Sequence, residues 1–382
     1  MSESNLYYIY IDTRIDGAIE QLVSYFQTGI FNQDQCISVY VKYYKDIEKK
    51  IIKEFSKFSL DFKFIKRYSD LNFENNKVVF YLFNAQSNCR VVTHRNVTHV
   101  FVTHGESHKI SSIKPIIRIY DYIITSGQVG VDRYLKAGIF NEHDILENRV
   151  IKLGNTFIGQ NYYHYAPESK TLLYAPTWEG GVPNENYSSI RANTIEILMR
   201  YIQYLNLEKV VIQPHPNLGH RDKKYLKLLH DLANELVKQG ISVTIRMREI
   251  RLQDRLKRRL YQYQDIYKEC SISYAITDIS AMEIQLLIKK IPVTVFTIKD
   301  RYESLIIPKV IKSYYQNSMH FIDCDEPKKI FISKVESGYL SYIEDFQEES
   351  LSKVNWSERI RWLCCFVNQL REKKVNSLLT VY

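Results

Sequence analysis

The chain has no run of ~18 apolar residues, so no membrane-spanning helix is read in it. Its opening stretch, MSESNLYYIYID, has neither a basic segment nor a long apolar core, and reads as no secretory signal. Six cysteines (Cys36, Cys89, Cys270, Cys324, Cys364, Cys365) form no CxxC pair. That speaks against a zinc site and for a reduced, cytoplasmic setting. Adjacent Cys364 and Cys365 fall in an apolar helical stretch and are expected in a core. There is no low-complexity linker, no GxGxxG and no RNA or DNA motif, so nucleic acid is the least favoured partner. Any work at a membrane would be done from its surface, as a peripheral protein.

At 382 residues, the chain is too long for one ordinary core, and two domains are the expectation. Hydrophobic residues make up 45% and charged residues 25%, ordinary for a soluble protein. Tyrosine occurs 30 times, largely beside Lys, Ile and Asn, which a compositional bias of the genome explains as well as function does. The formal charge is +9, densest in RMREIRLQDRLKRR, residues 246–259. Such a stretch serves as a solvated helix face, or meets phosphates, an anionic membrane surface or an acidic substrate.

Strands and helices alternate. LYYIYI (6–11), CISVYV (36–41), KVVFYLF (77–83), THVFVTH (98–104) and YIITSG (122–127) read as buried strands. Helices are expected at 17–29 and near 44–57. The pattern restarts near 170. TLLYAPT (171–177), KVVIQPH (209–215), ISVTIR (241–246), SYAITD (273–278) and PVTVF (292–296) are strands, with helices at 188–205, 223–240 and after Ser280. Apolar runs separated by helices indicate parallel sheets covered on both faces. The expected fold is α/β, with two Rossmann-like halves facing across a cleft. Residues 1–160 would form one half and 165–350 the other. A long amphipathic helix within 351–382 would cross back to the first. Parallel sheets bind ligands beyond the carboxyl ends of their strands, so the residues just after strands matter most.

Four strand ends stand out. THGESHK (103–109) places His104 and Gly105 at a strand end, followed by Glu106, His108 and Lys109. Glycine allows close backbone approach, imidazole can act as a base near neutral pH, and Lys109 can neutralise phosphate. TSGQVGVDRY (125–134) ends a strand at Ser126 and Gly127 and leads into a helix with Asp132 and Arg133. It suits anion binding by backbone N–H groups, or is a helix cap. In YAPTWEGG (174–181), Thr177, Trp178 and Glu179 could face the cleft. Trp178 would stack on a base or sugar, or plug a domain interface. QPHPNLGHRD (213–222) holds His215 between two prolines that fix its direction, with His220 and Arg221 beyond. Pro216 and Gly219 disfavour a metal-binding helix there, and no metal is expected.

The stretch TDISAMEIQLL puts Thr277, Asp278 and Ser280 at a helix start. These residue types cap orphan N–H groups. They also suit a diphosphate resting on that N-terminus. Glu283 lies three residues after Ser280, where it completes a capping box or accepts hydrogen bonds from a ribose diol.

In order and spacing, HGESHK, DYIITSGQVGVDRYLKAGI, LLYAPTWEG, YSS, HPNLGHRD and TDISAMEIQLL…KIPVTVF together resemble the CDP-glycerol glycerophosphotransferase family, the teichoic-acid and capsule polymer enzymes. The resemblance covers about residues 100–300 and implies a GT-B fold with the donor nucleotide mainly on the C-terminal domain. It implies transfer of glycerol phosphate, or another polyol phosphate, from CDP-glycerol or CDP-ribitol to a hydroxyl of a cell-surface glycan or lipid-linked acceptor, with release of CMP. No cofactor is implied. By position in the matching motifs, His104 would be the general base and His215 would contact the donor pyrophosphate from the opposite half. Thr277, Asp278 and Ser280 would hold phosphate and nucleotide, with Glu283 at the ribose. Lys109 and Arg133 would supply positive charge, and Ser126, Gly127 and Thr177 would complete the donor and phosphate contacts. Two departures stand out. Glu106-Ser107-His108 replaces the usual Thr-Pro-Leu, and Ile279-Ser280-Ala281 leaves one hydroxyl where two are usual. The alternatives are a GT-B glycosyltransferase using a nucleotide sugar, and a non-catalytic partner in a capsule assembly complex.

Overall fold

A computed structural model describes residues 5–58, 60–103, 106–159, 161–247, 260–323 and 337–379. The chain forms two compact units. One comprises Met1–Gly105, Ile113–Phe157 and Ile343–Tyr382, and the other Glu106–Ser112 and Ile158–Tyr342.

The first unit is built on a seven-stranded sheet, order β3-β2-β1-β4-β5-β6-β7. Its strands are β1 (Tyr7–Ile11), β2 (Cys36–Lys42), β3 (Phe62–Ile65), β4 (Val78–Tyr81), β5 (Thr98–Phe101), β6 (Tyr122–Thr125) and β7 (Val150–Lys152). Every pairing is parallel. The central strands are buried along their whole length, as a sheet covered on both faces requires. On one face, Tyr7, Ile9 and Ile11 meet Leu22 of the helix Asp16–Gln27 and Ile360, Leu363, Cys364 and Val367 of the last helix, Trp356–Leu379. Full burial of each of these aliphatic side chains stabilises by about 1.5–3 kcal/mol. Cys364 is buried as expected, whereas Cys365 is exposed. Neighbours on a helix point about 100° apart, so only one of the pair faces the sheet.

The second unit repeats the plan. Its sheet runs β12-β11-β10-β9-β14-β15-β16. The strands are β9 (Thr171–Ala175), β10 (Lys209–Ile212), β11 (Ser242–Met247), β12 (Gln262–Asp265), β14 (Tyr274–Asp278), β15 (Val293–Thr297) and β16 (Met319–Phe321). These pairings too are all parallel. A separate parallel pair joins β8 (Tyr163–Tyr165) to β13 (Cys270–Ile272). The fold class is therefore α/β with two Rossmann-like parallel sheets. The strand order reverses between β1 and β4 in the first sheet and between β9 and β14 in the second. In such sheets the ligand crevice opens at that reversal, beyond the carboxyl ends.

Two expectations shift. The helix expected over 188–205 starts only at Thr194. Ser188 to Ile190 precede it because the Ser189 N–H is drawn to the Asp278 carboxylate, at 3.1 Å. The basic stretch 246–259 lies outside the described residues from 248 onward. Its first member, Arg246, is not a surface charge. It is 1% exposed, its guanidinium lies 4.6 Å from the Tyr163 ring centroid, and Nη2 donates to the Ile266 carbonyl at 2.8 Å and to that of Lys268.

Candidate functional site

At the reversal of the second sheet, β9 ends in Ala175 and β14 in Asp278, on neighbouring strands. Asp278 is completely buried, and its Oδ2 accepts the backbone N–H of Thr177 at 2.7 Å and of Ser189 at 3.1 Å. One carboxylate oxygen thus fastens the loop after β9 and the approach to helix Thr194–Tyr204. Burial raises the Asp278 pKa to about 7, against the hydrogen bonds from Ser189 and Thr177 and the charge of Lys109. The segment Glu106–Ser112 joins this unit and delivers Lys109 to the same place. Lys109 Nζ donates to Thr177 Oγ1 at 2.9 Å and lies 5.4 Å from the Tyr187 ring centroid. Burial lowers its pKa to about 8, opposed by the charges of Asp278 and Glu185. Lys109, Thr177 and Asp278 therefore form one polar cluster, spanning 101 residues from Thr177 to Asp278.

The helix Ala281–Ile288 starts at the end of β14 with Ser280 in the N-cap position. The capping box expected from Ser280 and Glu283 does not form. Ser280 caps with no side-chain hydrogen bond, and Glu283 turns instead to Tyr315, whose hydroxyl donates to Oε1 at 2.6 Å. Glu283 is 1% exposed, and burial raises its pKa to about 8 despite that hydrogen bond. Burial thus favours its protonated form near neutral pH. The same Tyr315 ring meets the buried His108 edge-on at 5.3 Å, and the backbone N–H of Ile306 donates to the His108 carbonyl at 3.1 Å. Among the described residues, Thr277 Oγ1, Asp278 Oδ1 and Ser280 Oγ are buried without a hydrogen-bond partner. Buried polar atoms are normally paired, and three that are not lie on the residues leading into this helix.

His215 follows β10. Its Nδ1 accepts the Asn217 N–H at 3.1 Å, so the neutral ring carries its proton on Nε2. Trp178 stacks on it at 5.9 Å between centroids and 17° between planes. Glu179 does not face a ligand. It is completely buried, and its carboxylate collects the N–H groups of Gly219 at 3.0 Å, Arg221 at 2.8 Å and Asp222 at 3.0 Å. Burial pushes the Glu179 carboxyl up, and these backbone donors outweigh it and hold the pKa below the usual value. Glu179 therefore sets the loop that carries His215.

Ser126, Gly127 and Arg133 belong to the first unit, at the end of β6. Gly127 and Gly130 both have a packing reason. A Cβ on Gly127 would meet the Ile343 carbonyl oxygen at 2.8 Å and the Asp345 nitrogen at 2.9 Å. One on Gly130 would sit 1.6 Å from Thr125 Oγ1. Ser126 is buried and its carbonyl accepts the Asp345 N–H at 3.0 Å. Arg133 is 1% exposed, with its guanidinium 5.9 Å from the Tyr134 ring centroid. His104 lies outside the described residues.

Sequence reasoning quoted Ser189 within YSS without giving it a role, and missed Tyr315 and the structural use of Glu179. Each acts through a partner 32 to 89 residues away, which no local pattern signals. A cavity of about 560 Å³ opens along helix Lys224–Lys238, lined by His230, Asp231 and Tyr261 among others, and holds none of the predicted residues. Among the described residues, no group of three or more His, Cys, Asp or Glu is placed to hold a metal, and no helix is long and apolar enough to cross a membrane.

No family model matches the chain, and no curated protein matches it. Solved structures with some likeness include the wall teichoic acid polymerase TagF, at 11% identity and a TM-score of 0.41 over 99% of this chain and 90% of that one. A glycosyltransferase from Rickettsia africae gives 10% identity and a TM-score of 0.42 over 99% and 98%. A UDP-N-acetylglucosamine 2-epimerase gives 12% and 0.40 over 79% and 81%. At these scores the likenesses carry neither a family nor an activity.

Proposed function

We propose that the chain transfers a polyol phosphate, glycerol phosphate first among the candidates, from a CDP-activated donor to a hydroxyl of a cell-surface glycan or lipid-linked acceptor. The observation that carries this reading is the cluster at the reversal of the second sheet. There Lys109, Thr177 and Asp278 are linked at the strand end that leads through Ser280 into an uncapped helix, with three buried oxygens lacking partners.

In this reading the donor diphosphate lies on the N–H groups that open helix Ala281–Ile288. Lys109 faces the leaving phosphate, and its ammonium offsets both the phosphate charge and that of Asp278. Asp278 itself organises the Thr177 and Ser189 backbone and does not touch the phosphate. Nε2–H of His215 donates to a phosphate oxygen. The neutral Glu283 can donate to, or accept from, a ribose hydroxyl without adding negative charge beside the diphosphate. The acceptor oxygen attacks the polyol-bearing phosphorus. That P–O bond forms as the bond to the CMP oxygen breaks, CMP leaves, and the acceptor proton passes to a base, for which His104 is proposed. Positioned cations and donors supply most of the help in such a transfer.

The experiment is a donor screen with CDP-glycerol, CDP-ribitol and UDP-sugars, followed by phosphorus NMR of the product. A phosphodiester together with free CMP supports the reading. A product free of phosphorus identifies a sugar transferase instead, and binding without turnover identifies a non-catalytic partner. His104→Ala is expected to lower turnover about 10²–10⁴-fold. Near-normal turnover removes His104 as the base.

A further inference from the structure

The small parallel pair of β8 and β13 carries a group of side chains that the donor reading does not use. Ser271 on β13 lies beside His164 on β8 in the register of the pair. Ser271 Oγ and His164 Nε2 are 2.6 Å apart. The other ring nitrogen, Nδ1, lies 3.5 Å from Oε2 of Glu269, which immediately precedes β13. His164 and Glu269 are exposed, and Ser271 is half-buried. Among the described residues, His164 is the only ion-pair partner of Glu269. Lys289, whose charge also reaches Glu269, gives its N–H groups to the carbonyls of Asn161 at 2.6 Å and Tyr163 at 3.0 Å.

The three groups stand in the order hydroxyl, imidazole, carboxylate. A carboxylate beside Nδ1 favours the tautomer with its proton there. Nε2 is then the acceptor, and the Ser271 hydroxyl donates to it. A hydroxyl so held passes its proton to the ring as it attacks, which makes it a nucleophile. The backbone adds a further donor. The Cys270 N–H donates to the Tyr162 carbonyl at 2.9 Å, and the Ile272 carbonyl accepts the Ala166 N–H at 2.8 Å. In a parallel pair the residue between two such partners points its N–H the other way, so that of Ser271 faces away from β8. Among the described residues, no strand pairs on that side. The nucleophile's own residue thus offers a donor where an oxyanion would form. Exposed ion pairs add little to stability, so stability gives these groups no strong reason to meet.

We propose that Ser271, His164 and Glu269 form a catalytic site, separate from the donor cluster, that hydrolyses a short-chain carboxylic ester. Ser271 Oγ attacks the ester carbonyl carbon as its proton passes to His164 Nε2. The tetrahedral oxygen takes the Ser271 N–H. The C–O bond to the alcohol breaks, and the alcohol leaves with the proton from His164. Water attacks the acyl-serine and gives a proton to His164. The carboxylic acid leaves as Ser271 Oγ takes that proton back. Ester and water thus become acid and alcohol. Glu269 is a positioning residue, acting through the imidazole. Two of the three side chains are exposed, so the face offers little depth for a long acyl chain and suits a short one. The proposal does not depend on the transferase reading.

The test treats the full-length protein with a fluorophosphonate probe and locates the adduct by mass spectrometry. An adduct on Ser271 is expected, lost in Ser271→Ala and in His164→Gln. Turnover is read with p-nitrophenyl acetate. An exposed imidazole cleaves this ester slowly by itself, so Ser271→Ala, which keeps His164, is the control. Ser271→Ala and His164→Gln are each expected to lower kcat/KM by about 10²-fold or more. Glu269→Gln is expected to lower kcat about tenfold or more with KM unchanged, a split that loss of fold does not give. Thermal melts check that the variants fold. No adduct on Ser271 overturns the proposal. Wild-type turnover in Ser271→Ala assigns the cleavage to the imidazole alone and overturns it too. Labelling that survives His164→Gln undiminished does the same.

Discussion

Asp278 Oδ2 accepts the backbone N–H of Thr177 at 2.7 Å, tying the end of β14 to the loop after β9. The same oxygen takes the Ser189 N–H at 3.1 Å. Removing the carboxylate strands two buried donors, at about 1–3 kcal/mol each. Asp278→Ala is expected to lose about 2–6 kcal/mol in urea unfolding. Asp278→Asn keeps an accepting oxygen and is expected to lose less than half of that. Donor affinity in the Asn variant is expected to change as well, because Lys109 loses its negative neighbour.

Glu283 gives a pH signature. Its folded pKa is raised to about 8 from 4.5, by burial. The folded state therefore holds a proton that the unfolded state releases between these values. The contribution is fully present below about 4.5 and is lost as pH rises to about 8. The slope from this one group is at most about 1.4 kcal/mol per pH unit. Glu283→Gln keeps an acceptor for the Tyr315 hydroxyl and cannot ionise. Its stability is expected to be flatter than that of the wild type across this window, measured by urea unfolding at successive pH values.

Glu179 acts in the opposite sense. Its three backbone donors favour the charged form, and their support is present above the usual carboxylate pKa and lost as pH falls through the lower, folded value. Glutamine has one carbonyl oxygen for three N–H groups. Glu179→Gln is expected to cost about 1–3 kcal/mol and to loosen residues 215–222. Faster hydrogen exchange at Gly219 and Arg221, with weaker donor binding through His215, is the expected readout.

Gly127→Ala tests whether that glycine serves packing. The new Cβ would sit 2.8 Å from the Ile343 carbonyl oxygen, a backbone atom that cannot swing away. A loss of about 1–3 kcal/mol is expected. Unchanged stability would leave anion binding as the reason for the glycine.

Much of the fold was legible from the residues. Continuous apolar runs such as Tyr7–Ile11 and Val293–Thr297 are what a doubly covered parallel sheet demands, and both are fully buried strands. The edge strands Phe62–Ile65 and Gln262–Asp265 escaped notice: QYQD is polar because an edge is half solvated, and FKFI is only four residues long between charged neighbours. In the second unit's site, Lys109, Thr177 and Asp278 could be chosen because they follow strands. Their joining into one cluster could not be read, since nothing in residues 106–112 signals which core the segment joins. Likewise, Ser-x-x-Glu at 280–283 fits a capping box locally, but Tyr315, 32 residues away, offers Glu283 a buried partner and takes it.

The central claim is that an activated nucleotide rests its diphosphate on the start of helix Ala281–Ile288. A crystal structure of the protein soaked with CDP-glycerol tests it most directly. The account predicts phosphate density within hydrogen-bond distance of the first backbone N–H groups of that helix, with Ser280 Oγ and Lys109 Nζ beside it and the ribose near Glu283. Density for the diphosphate anywhere else, with those groups unchanged, would contradict it.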